Sequence, residues 1–304
     1  MTFLNDMFDK REPPISDSSR KLYISNLKKL NDGNEPENFN FLKDDKNIYA
    51  KIEHLKPTTQ RSYIIAICSV LANEPSQKRI YNKYYKVLMQ MNNDLKNNTT
   101  KSETQKENWV TADDIHKLDD VLTRQIKKIR VSTITKKDYN IILAYMVFSL
   151  FTKTAPRRNI DYTLMKLSTD MTDKKFNYLD LKNKRFIFNN YKTNKTYKEV
   201  KVDIPDGLFA VIKFYLRFHP QRNKLKNKKH DIYFLVDFKN NHLDNSNDIT
   251  KILNKVFKKN VGASLLRNMY LTHKYGDVLT ELKDDVQDMS TSVGTAMNNY
   301  IKTD

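Results

Sequence analysis

Apolar residues recur with helical spacing through the first hundred residues of the chain. After the candidate N-cap Ser16, apolar residues fall at i, i+4 and i+7, and comparable patterns begin at Pro57 and Pro75. A proline or hydroxyl residue just before such a pattern is a typical signal for a helix start. The sequence therefore predicts a small all-helical domain over residues 1–100, with lysines and arginines on its outer faces.

The pattern stops in residues 101–108, which contain no apolar residue and show no period, so we predict an interdomain linker there. Thr111 then resembles a helix cap, followed by acidic residues in the first turn. Residues 138–152 form a long and mostly apolar segment, which predicts a helix at the centre of a second domain. That domain is expected to span residues 109–304.

A different period follows in the second domain. Arg185-Phe-Ile-Phe188 and Val200-Lys-Val-Asp-Ile204 are typical of strands, and they enclose a lysine-rich stretch, so a β-hairpin is expected. Helical periodicity returns after Pro205 and again between Ile249 and Phe257. The predicted fold class is mainly α, or α+β: an N-terminal helical domain, and a mostly helical C-terminal domain with a small antiparallel sheet.

Charge narrows the choice of partner. The chain has 54 Lys and Arg residues against 36 Asp and Glu residues, a net charge of +18. Such an excess favours a polyanionic partner and predicts strongly salt-dependent DNA or RNA binding. The alternative is that an AT-rich genome inflates Lys and Asn without functional meaning, so the motifs must decide.

Several classes of protein are disfavoured. Cys68, the single cysteine, lies in an apolar run and is interpreted as a core residue in a reducing compartment. The N-terminus does not resemble a signal peptide, and no apolar run has the ~20 residues that span a bilayer. With five glycines, no glycine-rich phosphate loop and no zinc-type spacing, we expect no metal and no cofactor. The protein is expected to be soluble and intracellular, without a membrane partner.

Three motifs carry candidate chemistry: Ala155-Pro-Arg-Arg-Asn-Ile-Asp161, Ser264-Leu-Leu-Arg267 and Ser292-Val-Gly-Thr-Ala-Met-Asn-Asn-Tyr300. Breaking a phosphodiester without a metal requires a nucleophile, a cationic clamp for the phosphorane, and a proton donor for the leaving oxygen. Arginine suits the clamp because its fork binds two oxygens and stays charged. Tyrosine suits the nucleophile, since a phosphotyrosyl ester conserves the bond energy for rejoining.

In order and spacing these motifs resemble the catalytic domain of tyrosine recombinases, the integrases of phages, mobile elements and some DNA viruses. The resemblance covers most of the chain. It implies that Arg158 is the first catalytic arginine and that Asp161, three residues on, supports the site; Arg157 is the alternative. It also implies a general acid on the hairpin, with Lys192 the best match and Lys195 the alternative.

The same resemblance makes Arg267 the second catalytic arginine and Tyr300 the nucleophile. Two positions depart from the family: Ser264 stands where a histidine is usual, and Thr291 stands where a histidine or tryptophan is usual. Neither side chain is a base at neutral pH, and the loss of one positioned acid–base group typically lowers a rate about 10²–10⁴-fold. His273, six residues past Arg267, is not expected to replace either.

The implied function is site-specific DNA recombination through a 3′-phosphotyrosyl intermediate, without metal or ATP. Double-stranded DNA is the implied partner, with a homotetramer on paired sites and a possible monomer without DNA. The implied location is DNA-associated, in a host nucleus, a viral replication site or a bacterial cytoplasm. The first motif and the Asn/Lys-rich composition resemble integrases of large DNA viruses and virophages. A type IB topoisomerase and a catalytically silent DNA-binding protein of the same fold remain as alternatives.

Overall fold

The chain divides into two compact units, Met1–Thr100 and Lys101–Asp304. A computed structural model describes residues 2–97 and 100–301. Residues 1, 98 and 99 of the predicted first domain, and residues 302–304 of the predicted second domain, lie outside the described residues. Each unit has its own hydrophobic core and is described separately below.

The first unit is all-helical in its described part. Its helices are α1 (Phe3–Asp9), α2 (Asp17–Leu30), α3 (Asp45–Ile52), α4 (Pro57–Leu71) and α5 (Lys78–Asn97), with 3₁₀ turns at Asn40–Leu42 and Pro75–Gln77. The predicted cap is confirmed, because the Ser16 hydroxyl accepts a hydrogen bond from the Ser19 amide. Cys68 lies in the core as predicted, where burial raises the pKa of its thiol to about 12.

The helices of the second unit begin earlier than the sequence predicted. They are α6 (Glu103–Asn108), α7 (Ala112–Ile126), α8 (Lys136–Thr152), α9 (Asn159–Thr163), α10 (Asn194–Tyr197), α11 (Asp206–Phe218), α12 (Ser246–Phe257), α13 (Ala263–Asp288) and α14 (Val293–Thr295). Most of the predicted linker 101–108 is therefore helix α6. A capping box, in which the Ser102 and Gln105 side chains each bond the other's backbone, stabilises this polar helix without apolar periodicity.

The cap predicted for α7 is confirmed. The Thr111 hydroxyl accepts from the Asp114 amide, and the Asp114 carboxylate accepts from the Thr111 amide. Thr135 and Asp138 make the same reciprocal pair at the start of α8. Two of the main helices of this unit are therefore fixed at their first residue by local sequence.

A five-stranded sheet lies in the second unit. Its strands are β1 (Met165–Ser168), β2 (Asn177–Asp180), β3 (Arg185–Phe188), β4 (Val200–Asp203) and β5 (Asp231–Tyr233), in the spatial order β4-β3-β2-β1-β5. The predicted hairpin is confirmed, with Arg185 opposite Asp203 and Phe188 opposite Val200. The prediction of an antiparallel sheet is wrong, because β1 and β2 pair in parallel and the sheet is mixed. Their short segments carry no pairing signal of their own.

Helix α8 is the centre of the second core, as its apolar sequence predicted. It packs against α7, α11, α12 and α13, and most of its residues from Tyr139 to Phe151 are buried. The Tyr139 hydroxyl donates to the Val236 carbonyl at 3.0 Å, and the Tyr215 hydroxyl donates to the Phe234 carbonyl at 3.1 Å. These bonds satisfy both buried phenols and hold α8 and α11 to the chain that follows β5.

Within residues 2–97 and 100–301, no helix combines the length and the apolar character that crossing a bilayer would require.

Candidate functional site

Several of the predicted site residues line a cleft of about 350 Å³ in the second unit. Three separate segments line it: the turn between α8 and α9, the β3–β4 hairpin, and the first turns of α13. Its lining residues are Ala155, Pro156, Arg157, Arg158, Asp161, Tyr191, Thr193, Tyr197, Val200, Val202 and Arg267. Three arginines and one buried carboxylate therefore share one cavity, although Arg267 is more than a hundred residues from the other two arginines.

The turn that carries the first arginines is fixed at both ends. Helix α8 ends at Thr152, and Arg158 is the extended N-cap residue of α9, with φ −74° and ψ 150°. The side-chain Nδ2 of Asn159 donates to the Ser246 carbonyl and to the Thr250 hydroxyl, each at 2.8 Å. Those two bonds attach α9 to α12, the helix that precedes α13.

An ion pair and two aromatic rings of the second unit fix the Arg157 side chain. Its Nε donates to Asp161 Oδ2 at 2.9 Å, and its guanidinium lies 3.8 Å from the centre of the Phe188 ring and 5.2 Å from that of Tyr191. The Asp161 side chain is only 2% exposed. Burial raises the pKa of the Asp161 carboxyl above its usual range, while the Arg157 charge opposes that shift.

The ion pair differs from the spacing that the sequence suggested. Asp161 pairs directly with Arg157, four residues before it, and not with Arg158. Its amide donates to the Arg158 carbonyl at 3.0 Å, and the Arg158 charge acts on its carboxyl without direct contact. A helical turn places residue i beside i+4 as readily as beside i+3, so spacing alone could not choose between the two arginines.

Arg158 and Arg267 differ from Arg157 in their contacts. In the part of the chain that the structure describes, neither side chain makes an ion pair or a hydrogen bond, and both are half-buried in the lining of the cleft. A fixed cation with unsatisfied donors is suited to bind an anion. Ser264, one turn before Arg267 on α13, is exposed and is not among the lining residues.

The tip of the hairpin faces the cleft through Tyr191, Thr193 and Tyr197. The two candidate lysines, Lys192 and Lys195, occur between these lining residues and are exposed. Neither ammonium group has an ion-pair partner among the described residues. The tip of the predicted hairpin contains the helical turn α10. The Tyr191 hydroxyl donates to the Lys198 carbonyl at 2.8 Å and closes the tip.

Asn177, the first residue of β2, connects the arginine turn to the hairpin. Its Nδ2 donates to the carbonyls of Asp161 at 2.7 Å and Asn190 at 2.9 Å, and its Oδ1 accepts from the amides of Asn189 and Asn190, each at 2.8 Å. The side chain has no exposed surface. Sequence reasoning missed this residue, because no pattern distinguishes it from the many other asparagines of the chain.

The C-terminal candidates lie elsewhere. Tyr300 ends the π-helical turn Ala296–Tyr300, is 59% exposed, and is not among the residues that line the cleft. Thr291 is half-buried and its amide donates to the Val286 carbonyl at 2.8 Å. The Ser292 hydroxyl caps α14 by accepting from the Thr295 amide at 3.1 Å. The structure thus groups the arginines and Asp161 with the hairpin tip, and leaves Tyr300 and Thr291 outside this lining.

His273 has a packing contact. The His273 ring contacts the Trp109 ring edge-on, with the ring centroids 6.2 Å apart. In a separate cation–π contact, Lys101 Nζ lies 3.8 Å from the centre of the Trp109 ring. His273 is not among the residues that line the cleft. Among the described residues, no three His, Cys, Asp or Glu side chains are grouped to hold a metal ion.

No protein-family profile matches this chain, and no curated protein is significantly similar to it in sequence. The geometry of the cleft and the motifs of the sequence must therefore carry the functional argument by themselves.

Proposed function

We propose that the protein is a site-specific DNA recombinase of the tyrosine type, which cleaves and rejoins DNA through a 3′-phosphotyrosyl intermediate. The observation that carries the proposal is the convergence of Arg157, Arg158 and Arg267 on one cleft. Among the described residues, two of these guanidinium groups are unpaired and the third is neutralised by Asp161. A scissile phosphate would therefore meet two free cations from distant parts of the chain, the clamp that a phosphorane requires.

In this proposal Arg158 and Arg267 bind the non-bridging oxygens, while Arg157 and Asp161 fix the turn that carries Arg158. The Tyr300 hydroxyl oxygen attacks phosphorus, the bond to the 5′-oxygen breaks, and Lys192 or Lys195 gives that oxygen its proton. The phenol proton passes to solvent, since Ser264 and Thr291 are not bases. Rejoining is the reverse reaction, so neither step consumes ATP.

Tyr300 must reach the bound phosphate for this chemistry. Because it is 59% exposed and ends the chain's last helical turn in the described residues, few contacts would have to break for it to move. We propose that DNA binding or assembly of several copies brings residues 289–300 against the cleft. The catalytic geometry would then form only in the complex, as often occurs when free-enzyme distances are long.

The domain roles follow from the same proposal. Residues 1–100 would form a helical DNA-clamp domain and residues 109–304 the catalytic domain, acting as a homotetramer on two paired duplexes. The net charge of +18 supports double-stranded DNA as the partner. The setting would be DNA-associated and intracellular, in a virus or mobile element of the virophage or large-DNA-virus type.

A second candidate is a catalytically silent DNA-binding protein of the same fold. The position of Tyr300 outside the cleft lining, together with Ser264 and Thr291 at the histidine positions, favours it. Both candidates predict DNA binding, so binding alone does not separate them. Only the covalent step does.

The test uses duplexes enriched by binding selection from a random pool, nicked near the selected site so that a cleaved strand cannot be religated. Wild-type protein is incubated with them in EDTA and denatured. A covalent protein–DNA band that is lost in Arg267→Ala and in Tyr300→Phe supports the recombinase. Selected duplexes that are bound but never covalently linked would leave the silent protein as the better account.

A further inference from the structure

A second basic cavity in the same unit has no role in the proposed chemistry. This groove, of about 580 Å³, lies along α11 and shares no residue with the arginine cleft. We call it the α11 groove. Its cationic lining residues are Lys213, Arg217, Arg222 and Lys226. Its apolar lining residues are Val131, Leu181, Phe209 and Leu216.

In the described part of the chain, the cations of the α11 groove have no acidic partner. No carboxylate is among its lining residues, and no ion pair forms at any of its four cations in residues 2–97 and 100–301. All four are exposed. Lys213 and Arg217 are four residues apart on α11, and Arg222 and Lys226 are four residues apart beyond it, so two pairs of like charge face one cavity.

The apolar side chains limit what could occupy the groove. A DNA backbone presents phosphates and sugars, which gain little from contact with Leu181, Phe209 or Leu216. An occupant that satisfies both sets of residues needs carboxylates beside exposed apolar side chains. An acidic amphipathic helix has that chemistry.

Helix α13 from Leu271 to its end is such a helix. Its acidic side chains recur at i, i+4, i+7, i+8 and i+11 on one face: Asp277, Glu281, Asp284, Asp285 and Asp288. All are exposed, and none makes an ion pair in the described part of the chain. One lysine, Lys283, falls within the same stretch.

An apolar stripe precedes that acidic face along the helix and overlaps it at residues 277–279. Leu271 is 55% exposed, Tyr275 48%, Val278 62% and Leu279 43%. These residues fall at i, i+4, i+7 and i+8, so they also form one stripe of the same helix. In a protein with a net charge of +18, an unpaired acidic face would repel DNA and is therefore suited to a cationic protein surface.

We infer that the acidic and apolar faces of α13 in one copy of the chain dock into the α11 groove of a second copy. The carboxylates would pair with the four cations, and the apolar stripe would cover the apolar lining. Donor helix and acceptor groove are different parts of one chain, so two copies can exchange two such contacts in a closed dimer or form a larger ring. The inference concerns self-association without DNA and does not rest on the proposed chemistry.

The test is charge reversal on each side, followed by their combination. Lys213→Glu with Arg222→Glu reverses the groove, and Glu281→Lys with Asp284→Lys reverses the helix. Lys136→Glu with Lys137→Glu is the matched control, since it changes the net charge as much as the groove variant at exposed positions in the first turn of α8. Self-association is measured by sedimentation equilibrium at low salt without DNA.

The expected result is a rise of about tenfold or more in the dissociation constant for either reversal alone, no such rise for the control, and recovery when both reversals share one chain. Association that is absent in the wild type, equal loss in the control, or no recovery in the combined variant overturns the inference. Retained DNA adduct formation in a monomeric wild type would overturn it while leaving the proposed function intact.

Discussion

The Asn177 side-chain amide donates to the Asp161 carbonyl at 2.7 Å, and so joins the arginine turn to the first residue of β2. The same side chain holds the backbone of Asn189 and Asn190, at the base of the hairpin tip. One buried residue therefore sets the distance between the arginines and the lysine-bearing tip. Two parts of the candidate site that are about thirty residues apart in sequence depend on its four hydrogen bonds.

Replacing Asn177 with leucine should destabilise the second unit by about 2–4 kcal/mol, because four buried backbone groups lose their partner. The single tryptophan, Trp109, lies in that unit, so its fluorescence during urea unfolding is a suitable measurement. Asn268→Leu, at an exposed position of α13, is the control and should change stability little. A loss no larger than that of the control would contradict the role assigned to Asn177.

Replacing Arg157 and replacing Arg158 should have different effects on the free energy of unfolding. Arg157→Ala leaves the Asp161 carboxylate buried without its partner and should cost roughly 2–4 kcal/mol in unfolding free energy. Arg158→Ala removes no ion pair and should stay within about 0.5 kcal/mol of wild type. Urea unfolding measures both. If Arg158→Ala is the more destabilising of the two, the assignment of Arg157 as the structural arginine is wrong.

DNA binding should show the complementary pattern. Arg158→Ala and Arg267→Ala each remove a free cation, and should weaken binding and reduce the slope of log affinity against log salt by about one phosphate contact. Exposed lysines remote from the cleft, such as Lys136, provide the comparison. Binding titrations between low and moderate salt would detect the change; an unaltered slope in both variants would argue against phosphate contact in the cleft.

His219 makes the second unit sensitive to acid. The side chain is fully buried, and burial lowers the pKa of its imidazole from 6.5 to about 4. It accepts from the Gln221 amide and donates to the Tyr233 carbonyl, which requires the neutral ring. Because the folded pKa is depressed, the unfolded chain takes up the proton first, and stability falls as pH drops from about 6.5 to about 4, by roughly 3 kcal/mol in total.

His219→Gln supplies the control for that prediction, since an amide can both accept and donate but does not titrate. Its unfolding free energy, followed against pH, should fall less steeply than that of wild type in this range. Parallel curves for the two proteins would show that other groups cause the acid sensitivity.

Cys68 should be unreactive in the folded first unit. Its thiol is buried and its pKa is raised to about 12, so very little thiolate is present near neutral pH. Labelling with a thiol reagent should be at least ~100-fold slower without denaturant than in denaturant. Rapid labelling of the native protein would mean that the first unit opens readily.

The sequence predicted the elements whose signals are local. The hydroxyl cap Ser16, the capping pair at Thr111 and the apolar segment of α8 were enough to locate three helices. Helix α6 was missed because a capping box, and not an apolar face, stabilises it. Strands β1 and β2 were not predicted, and their parallel pairing depends on the whole sheet and not on either strand.

The candidate site also has features that could be predicted from the sequence and others that depend on tertiary contacts. The family resemblance implied Arg158, Asp161 and Arg267 as site residues, and the structure brings these three to one cleft. The choice of Arg157 as the partner of Asp161, and the bridging role of Asn177, depend on tertiary contacts that no spacing shows. The connection of Tyr300 to the cleft rests on the family resemblance alone and stays a prediction.

The most direct measurement is the identity of the residue that carries the nucleotide after trapping. Covalent complexes formed on the nicked, selected duplex are digested with nuclease and trypsin, and the modified peptide is sequenced by mass spectrometry. We predict a single nucleotide-bearing tyrosine, Tyr300, among the 17 tyrosines of the chain. A nucleotide on any other residue, or tightly bound DNA with no covalent product, would contradict the account.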